Sequence, residues 1–113
     1  MTAPNRGDVY SAALDPRRGH EQGGTRPCLV LSVNNFNRSK AGLVVILPIT
    51  TREKRIASHV RVAAGEAELE NDSFIKCEEV RCISTARLGR RWGSVRRETL
   101  ADVERIVRTI LGL

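Results

Sequence analysis

The stretch PCLVLSV at Pro27–Val33, followed by LVVILPI at Leu43–Ile49, indicates the fold class of this chain. Both stretches are apolar and of strand length, and the second is rich in the β-branched residues that favour strands. A polar loop over residues 34–40 separates them. Shorter segments with a similar character predict further strands at Asp8–Tyr10, His59–Ala63, Ser73–Val80 and Trp92–Val95.

One helix is predicted at the C-terminal end, over Glu98–Leu111. Thr99 is its expected N-cap, and Gly112 follows it as a C-terminal glycine often does. The apolar residues recur every three or four positions and form one stripe: Leu100, Val103, Ile106, Val107, Ile110 and Leu111. Several short strands and one terminal helix predict a mostly β barrel or sandwich that forms a single domain over residues 1–113.

The length and composition favour a compact protein that is not embedded in a membrane. The chain has 113 residues, 41% of them apolar, which is enough for one core. It has no apolar run of the about eighteen residues that a membrane-spanning helix needs. Residues 1–15 contain polar and charged groups along their whole length and lack an apolar stretch, so no signal peptide is indicated and a cytoplasmic protein is expected.

The three cysteines, Cys28, Cys77 and Cys82, form an odd set without a Cys-x-x-Cys pair. Their spacing predicts neither a disulfide framework nor a zinc site, so we expect them to be structural. The sequence also lacks the carboxylate cluster or His/Asp/Glu ligand set that holds a catalytic metal. We therefore expect no metal and no cofactor.

The net charge of +6 is unevenly distributed along the chain. Residues 1–56 carry nine basic and four acidic side chains, whereas residues 57–113 carry ten and nine. Most of the basic residues are arginines, whose planar guanidinium binds phosphate through two parallel hydrogen bonds. A basic half indicates a polyanionic partner, nucleic acid first, although many basic domains carry only solvated charges.

Two polar segments adjoin the long strands and are the candidates for chemistry. EQGGTRP at residues 21–27 leads into the first strand; its glycines permit a close backbone approach to a ligand, and Pro27 holds Arg26 in extended geometry. PITTR at residues 48–52 ends the next strand. If the two strands are antiparallel neighbours, Arg26 and Thr50 meet. Taken alone, each segment is more often an ordinary solvated loop.

Short motifs follow one another along the chain: RGDVY at 6–10, GHEQGGTRP at 19–27, LS at 31–32, LPITT at 47–51, SHV at 58–60, DS at 72–73 and EVRCI at 79–83. In this order they resemble the MazF/PemK family of toxin endoribonucleases. The resemblance runs from about residue 5 to the terminal helix, and EQGGTRP is its specific element.

The resemblance implies an SH3-like β-barrel of the PemK/CcdB type with a C-terminal α-helix, packed as a homodimer. It implies a cognate MazE-like antitoxin whose acidic, partly disordered tail occupies the RNA groove. It also implies sequence-specific cleavage of single-stranded RNA, with Arg26 and Thr50 essential and Glu21 contributing. The family residue before that glutamate is often serine, whereas this chain has His20. The 34–40 loop varies in the family, so the target sequence is not carried over.

The expected chemistry needs no metal, because RNA carries its own nucleophile in the 2′-hydroxyl. Attack on the neighbouring phosphorus gives a cyclic phosphate and a 5′-hydroxyl. Arg26 is suited to stabilising the phosphate charge, and Thr50 completes the phosphate cradle. Glu21 acts as the base or only orients Arg26.

Further residues are predicted to contact the RNA. Aromatic residues make up 4% of the chain, and the stacking candidates are Phe36, Phe74, Tyr10 and Trp92. Phe36, in a polar loop, is a better candidate than Tyr10 or Phe74, which are expected in the core. His59 begins a strand, so it is either structural or turned to the substrate. The full predicted RNA-binding set is Gln22, Gly24, Asn35, Phe36, Thr51, Arg52, Lys54, Arg55, His59 and Arg81.

Two alternatives from other classes remain open. A CcdB-like gyrase-binding poison on the same fold has no need of Glu21, Arg26 and Thr50, and those relatives end in a tryptophan-containing tail, whereas this chain ends ILGL. A non-catalytic RNA-binding module is the second alternative, which intact Arg26 and Thr50 disfavour.

Overall fold

A computed structural model gives the fold and describes residues 3–15, 18–21 and 23–113. The chain is mostly β, with a helix at its C-terminal end, as the sequence predicts. The strands are β1 (Asp8–Ala13), β2 (Thr25–Val30), β3 (Leu43–Thr50), β4 (His59–Val62), β5 (Ser73–Lys76), β6 (Arg81–Ser84) and β7 (Leu88–Ser94). The α-helices are α1 (Asn34–Asn37) and α2 (Arg97–Leu111).

All strand pairs are antiparallel, and β3 lies at the centre of the sheet. The order is β4-β5-β3-β2-β1-β7, and β6 also pairs with β3. The predicted strand Ser73–Val80 is interrupted by a short 3₁₀ turn at Cys77–Glu79. There the Cys77 N–H donates to the carbonyl of Ser58, 3.0 Å away, which extends the pairing of β4 with β5 by one residue. The prediction is therefore wrong beyond Lys76, where β5 ends, and β6 is a separate strand that begins after the predicted end.

The sheet formed by the described residues is not a closed barrel, because β4 and β7 remain as its edges. A 3₁₀ turn at Glu66–Glu68 packs against β7 and covers that edge. The approach is close: a Cβ atom added at Gly93 would lie 3.1 Å from the Cα of Ala67. Glycine is therefore favoured at this point of β7, because a Cβ atom would require the turn to shift by a few tenths of an ångström.

Two apolar clusters lie on opposite faces of β2 and β3, since alternate residues of a strand point to opposite sides. The first includes Leu29 and Leu47 and packs against Val103 and Val107 of α2. The second is formed by Ala12, Leu14, Cys28, Val30, Val44, Ile46 and Ile83. Both faces of the central strands are thus buried, which explains why their sequences are apolar at nearly every position.

The cysteines are free, and two of them belong to these clusters. Cys28 and Cys77 are buried, and burial raises the pKa of each thiol to about 12. Cys82 is exposed. The structural role predicted for Cys28 and Cys77 agrees with their burial.

The 34–40 segment, predicted as a loop, begins with the single turn of α1. Asn37 holds it in place, because its Nδ2 donates to the carbonyls of Pro4 and Ser32, 3.1 and 3.0 Å away. Neither of the two helices in residues 3–15, 18–21 and 23–113 is long and apolar enough to cross a bilayer.

A carboxylate from a distant turn caps the N-terminus of α2. The helix begins at Arg97, so the predicted N-cap role of Thr99 is wrong, and the N-cap residue Arg96 has no capping side chain. Glu66 Oε2 instead accepts hydrogen bonds from the Arg96 N–H at 2.9 Å and the Thr99 hydroxyl at 2.7 Å. Partial burial works to raise the pKa of Glu66, but these bonds and the Arg96 charge hold that pKa below its ordinary value.

The substitution Glu66→Gln is expected to lower the free energy of unfolding by about 1–2 kcal/mol at neutral pH, because it removes a charged N-terminal cap. The Glu66 pKa is lower in the folded state, so its contribution is present above the unfolded pKa and is lost as the pH falls through the folded pKa. Urea denaturation should therefore show the two proteins converging below about pH 4.

Glu98→Gln is the matched control for that experiment, because Glu98 is exposed in the first turn of the same helix. It should change the unfolding free energy by only a few tenths of a kcal/mol. Equal stability of Glu66→Gln and wild type at neutral pH would contradict the capping role.

Candidate functional site

Arg26 and Thr50 lie beside each other at one end of the β2–β3 pair. The register aligns Cys28 with Pro48, and continuing it by two residues brings Arg26 opposite Thr50. Both residues line the same two cavities. The antiparallel arrangement that the sequence left conditional is therefore the observed one.

The larger of these two cavities, here called the basic groove, has a volume of about 430 Å³. Four of its lining residues are cationic, one is a carboxylate and one is a histidine. An open groove with this charge balance attracts a polyanion. The lining residues are Gly19, His20, Glu21, Arg26, Thr50, Thr51, Arg52, Lys54 and Lys76.

Backbone contacts orient Arg26. Its Nε donates to the carbonyl of Gly23, 3.2 Å away, and its side chain is otherwise turned to the exposed groove. The preceding loop is closed by Gly24, whose φ of +74° is a conformation that side chains rarely allow. The Gly24 N–H donates to Asp15 Oδ1 at 2.9 Å. Gly24 thus shapes the loop behind Arg26, and the close backbone approach of the glycines to a ligand stays a prediction.

Thr50 and Glu21 present oxygen atoms to the same groove. Thr50 Oγ1 accepts from the Arg52 N–H at 3.1 Å, so the hydroxyl orientation is tied to the turn that follows β3. Glu21 Oε1 accepts from the Arg18 N–H at 2.7 Å. The site therefore combines a guanidinium and a carboxylate from the EQGGTRP segment with a hydroxyl from the end of β3.

The smaller cavity adjoins the basic groove and has a volume of about 210 Å³. It shares Arg26, Thr50 and Thr51 with the basic groove and adds an aromatic wall from Trp92. The Arg90 guanidinium lies 5.4 Å from the centroid of the Trp92 ring. Sequence reasoning counted Trp92 among the few aromatic residues but did not place it at the site. Its position depends on β7, which comes late in the chain and pairs with β1.

A third cavity continues the basic groove on its other side, with a volume of about 450 Å³. It is lined by His20, Glu21, Lys54, Lys76, Glu78 and Glu79. Lys76 and Glu79 were not predicted as site residues. The alternating pattern of β5 gave no sign that a lysine would be buried there.

The structure brings only part of the predicted RNA-binding set to these cavities. Thr51, Arg52 and Lys54 line the basic groove with Arg26 and Thr50. Gln22 lies outside the described residues. The other predicted residues line none of the three cavities: Gly24, Asn35, Phe36, Arg55, His59 and Arg81. Phe74 is buried, as expected for a core residue.

His59 supports the fold from a buried position. Its side chain is 2% exposed, and its Nε2 lies 3.0 Å from Glu78 Oε2. Partial burial works to raise the pKa of Glu78, but hydrogen bonds from its own backbone N–H, Ser58 and His59 hold it below its ordinary value. These contacts favour the structural alternative for His59 over a direct contact with RNA.

In the described part of the chain, no group of three or more His, Cys, Asp and Glu side chains is arranged to hold a metal ion. The side chains of the site are suited to phosphate binding by Arg26, hydrogen bonding by Thr50 and proton transfer by Glu21.

A sequence model of the PemK-like, MazF-like toxins of type II toxin–antitoxin systems matches residues 5–111. The chain belongs to this toxin family. The match covers both segments that form the basic groove, so the resemblance drawn from the sequence motifs is confirmed.

Solved structures of MazF-like toxins share the fold. MazF from Deinococcus radiodurans is 28% identical, with a TM-score of 0.88 over 100% of both chains. A MazE–MazF complex from the same organism is 27% identical, with a TM-score of 0.83 over 100% of this chain and 99% of that one. An endoribonuclease in complex with its cognate antitoxin, from a mycobacterial species, is 26% identical, with a TM-score of 0.79 over 100% and 97%.

In this member of the MazF-like family, His59→Ala is expected to lower the free energy of unfolding by about 1–3 kcal/mol, because it removes a buried partner of Glu78. Urea denaturation measures the change. The affinity of the folded variant for RNA should match that of wild type. Unchanged stability together with weakened RNA binding would instead place His59 on the RNA surface.

Proposed function

We propose that this chain is a sequence-specific endoribonuclease toxin that cleaves single-stranded RNA without a metal ion. One observation carries the proposal: Arg26 and Thr50 lie side by side in a basic groove that also contains Glu21, in a chain of the MazF-like toxin family. A structural relative that covers nearly the whole chain is described as an endoribonuclease in complex with its antitoxin.

The proposed reaction uses the 2′-hydroxyl of RNA as the nucleophile. The 2′-oxygen forms a bond to the adjacent phosphorus, the bond from phosphorus to the 5′-oxygen breaks, and the products are a cyclic phosphate and a 5′-hydroxyl. The 2′-hydroxyl loses a proton to a base, and the departing 5′-oxygen gains one. Arg26 stabilises the charge that develops on the phosphate, and Thr50 adds a hydrogen bond to the same group.

Glu21 is the proposed base. A carboxylate is ionised at neutral pH and accepts a proton, whereas a guanidinium does not release its own. In the described residues the contact that orients Arg26 comes from the Gly23 carbonyl, and Glu21 is held by Arg18. That arrangement favours proton transfer by Glu21 over the alternative in which it only orients Arg26.

The partners follow from the same site and from the family. We propose a homodimer in the cytoplasm, inhibited by a cognate MazE-like antitoxin whose acidic, disordered tail competes with RNA for the basic groove. The groove carries four cations against one carboxylate, which suits an acidic tail as well as RNA. Val33, Leu111 and Leu113 are more than half exposed, so the monomer leaves apolar surface for an interface.

Cleavage of a long single-stranded RNA by the purified protein in EDTA tests this proposal. Wild type should give discrete cuts with 5′-hydroxyl ends. Arg26→Ala should lower the cleavage rate by about 10²–10³-fold, the usual effect of removing one donor to a transition-state oxyanion. Arg105→Ala is the matched control, because Arg105 is an exposed arginine on α2, outside the groove, and should leave the rate unchanged.

Each other outcome would contradict a different part of the proposal. No cutting by wild type would favour a gyrase-binding poison or a non-catalytic RNA-binding module on this fold. Equal cutting by Arg26→Ala would remove Arg26 from the reaction, and cutting that EDTA abolishes would contradict a metal-independent mechanism.

A further inference from the structure

Lys76 is a buried cation in the floor of the basic groove. It ends β5, is 6% exposed, and lines both the basic groove and the third cavity. Its Nζ lies 2.6 Å from Glu79 Oε2, and both side chains are largely withdrawn from solvent. Across the sheet, β5 pairs directly with the end of β3, where Phe74 is opposite Thr50.

Packing alone does not account for this ion pair. Removing two charges from water costs several kcal/mol per ion, and apolar residues at such a position are often at least as stable. The residues next to Lys76 in the sequence are buried and apolar: Phe74, Ile75 and Cys77. Lys76 lines the same groove as Thr50, and a leucine at this position would bring no positive charge to that groove.

We propose that Lys76 is a phosphate-binding residue for the RNA backbone and that Glu79 positions its ammonium group. This inference rests on the proposed RNA substrate and adds to it a contact beyond Arg26 and Thr50. An ammonium acts on a phosphate as a point charge with rotatable donors, so its ion pair with Glu79 is compatible with a contact to the RNA backbone. Lys54 also lines the groove but lies on an exposed segment, whereas Lys76 is fixed by its strand.

The two partners of this ion pair should act on RNA binding in opposite directions. Lys76→Met removes a cation that meets a phosphate, so binding weakens. Glu79→Gln removes an anion beside the groove while the cation stays, so binding tightens. If the pair only supported the fold, breaking it from either side would disturb the groove in the same way. The sign of the two effects therefore separates phosphate binding from a structural role.

The test measures binding of a short, mixed-sequence 2′-O-methyl RNA by fluorescence anisotropy across a series of salt concentrations. This RNA keeps its phosphates but has no free 2′-hydroxyl, so binding is measured apart from cleavage. A residue that neutralises one phosphate of a single strand contributes about 0.7 to the slope of log affinity against log salt. For Lys76→Met, the loss of affinity between about 50 and 200 mM salt should be smaller than in wild type by a factor of about 2.6.

Glu79→Gln should bind more tightly than wild type at low salt. Arg105→Met and Asp102→Asn break an exposed ion pair on α2, outside the groove, and should change neither the affinity nor the slope. Urea denaturation of each variant shows that it is folded under the binding conditions. Should either single variant unfold, Lys76→Met/Glu79→Leu replaces the whole pair by apolar residues and should show the same lower slope.

A slope for Lys76→Met equal to that of wild type would overturn the proposal. So would weaker binding by both single variants, or no binding by wild type. If these binding results are as expected but unmodified RNA is not cut, the proposed cleavage fails while the phosphate contact at Lys76 stands.

Discussion

The antiparallel pairing of β2 with β3 is the constraint on which the site depends. Its register aligns Cys28 with Pro48 and thereby brings Arg26 to Thr50. A slip of one residue would turn every side chain of the strand to the other face, and both faces are buried here. The same contacts that fill the two apolar clusters therefore fix the distance between the guanidinium and the hydroxyl. Stability and site geometry are not separable in these two strands.

The rest of the groove is formed by the loop before β2, the turn after β3 and the end of β5. A left-handed Gly24 closes the loop behind Arg26, and the Gly23 carbonyl orients its guanidinium. Lys76 reaches the groove from β5, on the far side of β3. A long-range contact also fixes the start of α2, since Glu66 caps this helix from about 30 residues away in sequence. A groove built on a rigid centre has its charges placed before any polyanion binds, which reduces the ordering that binding requires.

The sequence predicts the parts of this molecule whose patterns are local. The apolar runs of β2 and β3 and the stripe of α2 indicate their own structure, and EQGGTRP marks the site loop. The break at Cys77 was not predictable, because residues 73–80 contain no glycine or proline that would mark a turn. The cap of α2 likewise comes from outside the helix. Lys76 is an ordinary strand lysine in the sequence, and only the three-dimensional packing shows that it is buried against Glu79 and open to the groove.

The most direct test of the central claim, that this groove cleaves RNA through the substrate's own nucleophile, is a single-atom change in the RNA. Once a cleavage site has been mapped, one 2′-deoxynucleotide is placed on the 5′ side of the scissile phosphate in an otherwise unchanged RNA. The account predicts that cleavage stops at that phosphate while cleavage at other target sites in the same strand continues. Cleavage that persists at the deoxy position would mean that water or another nucleophile attacks the phosphorus, and would contradict the mechanism.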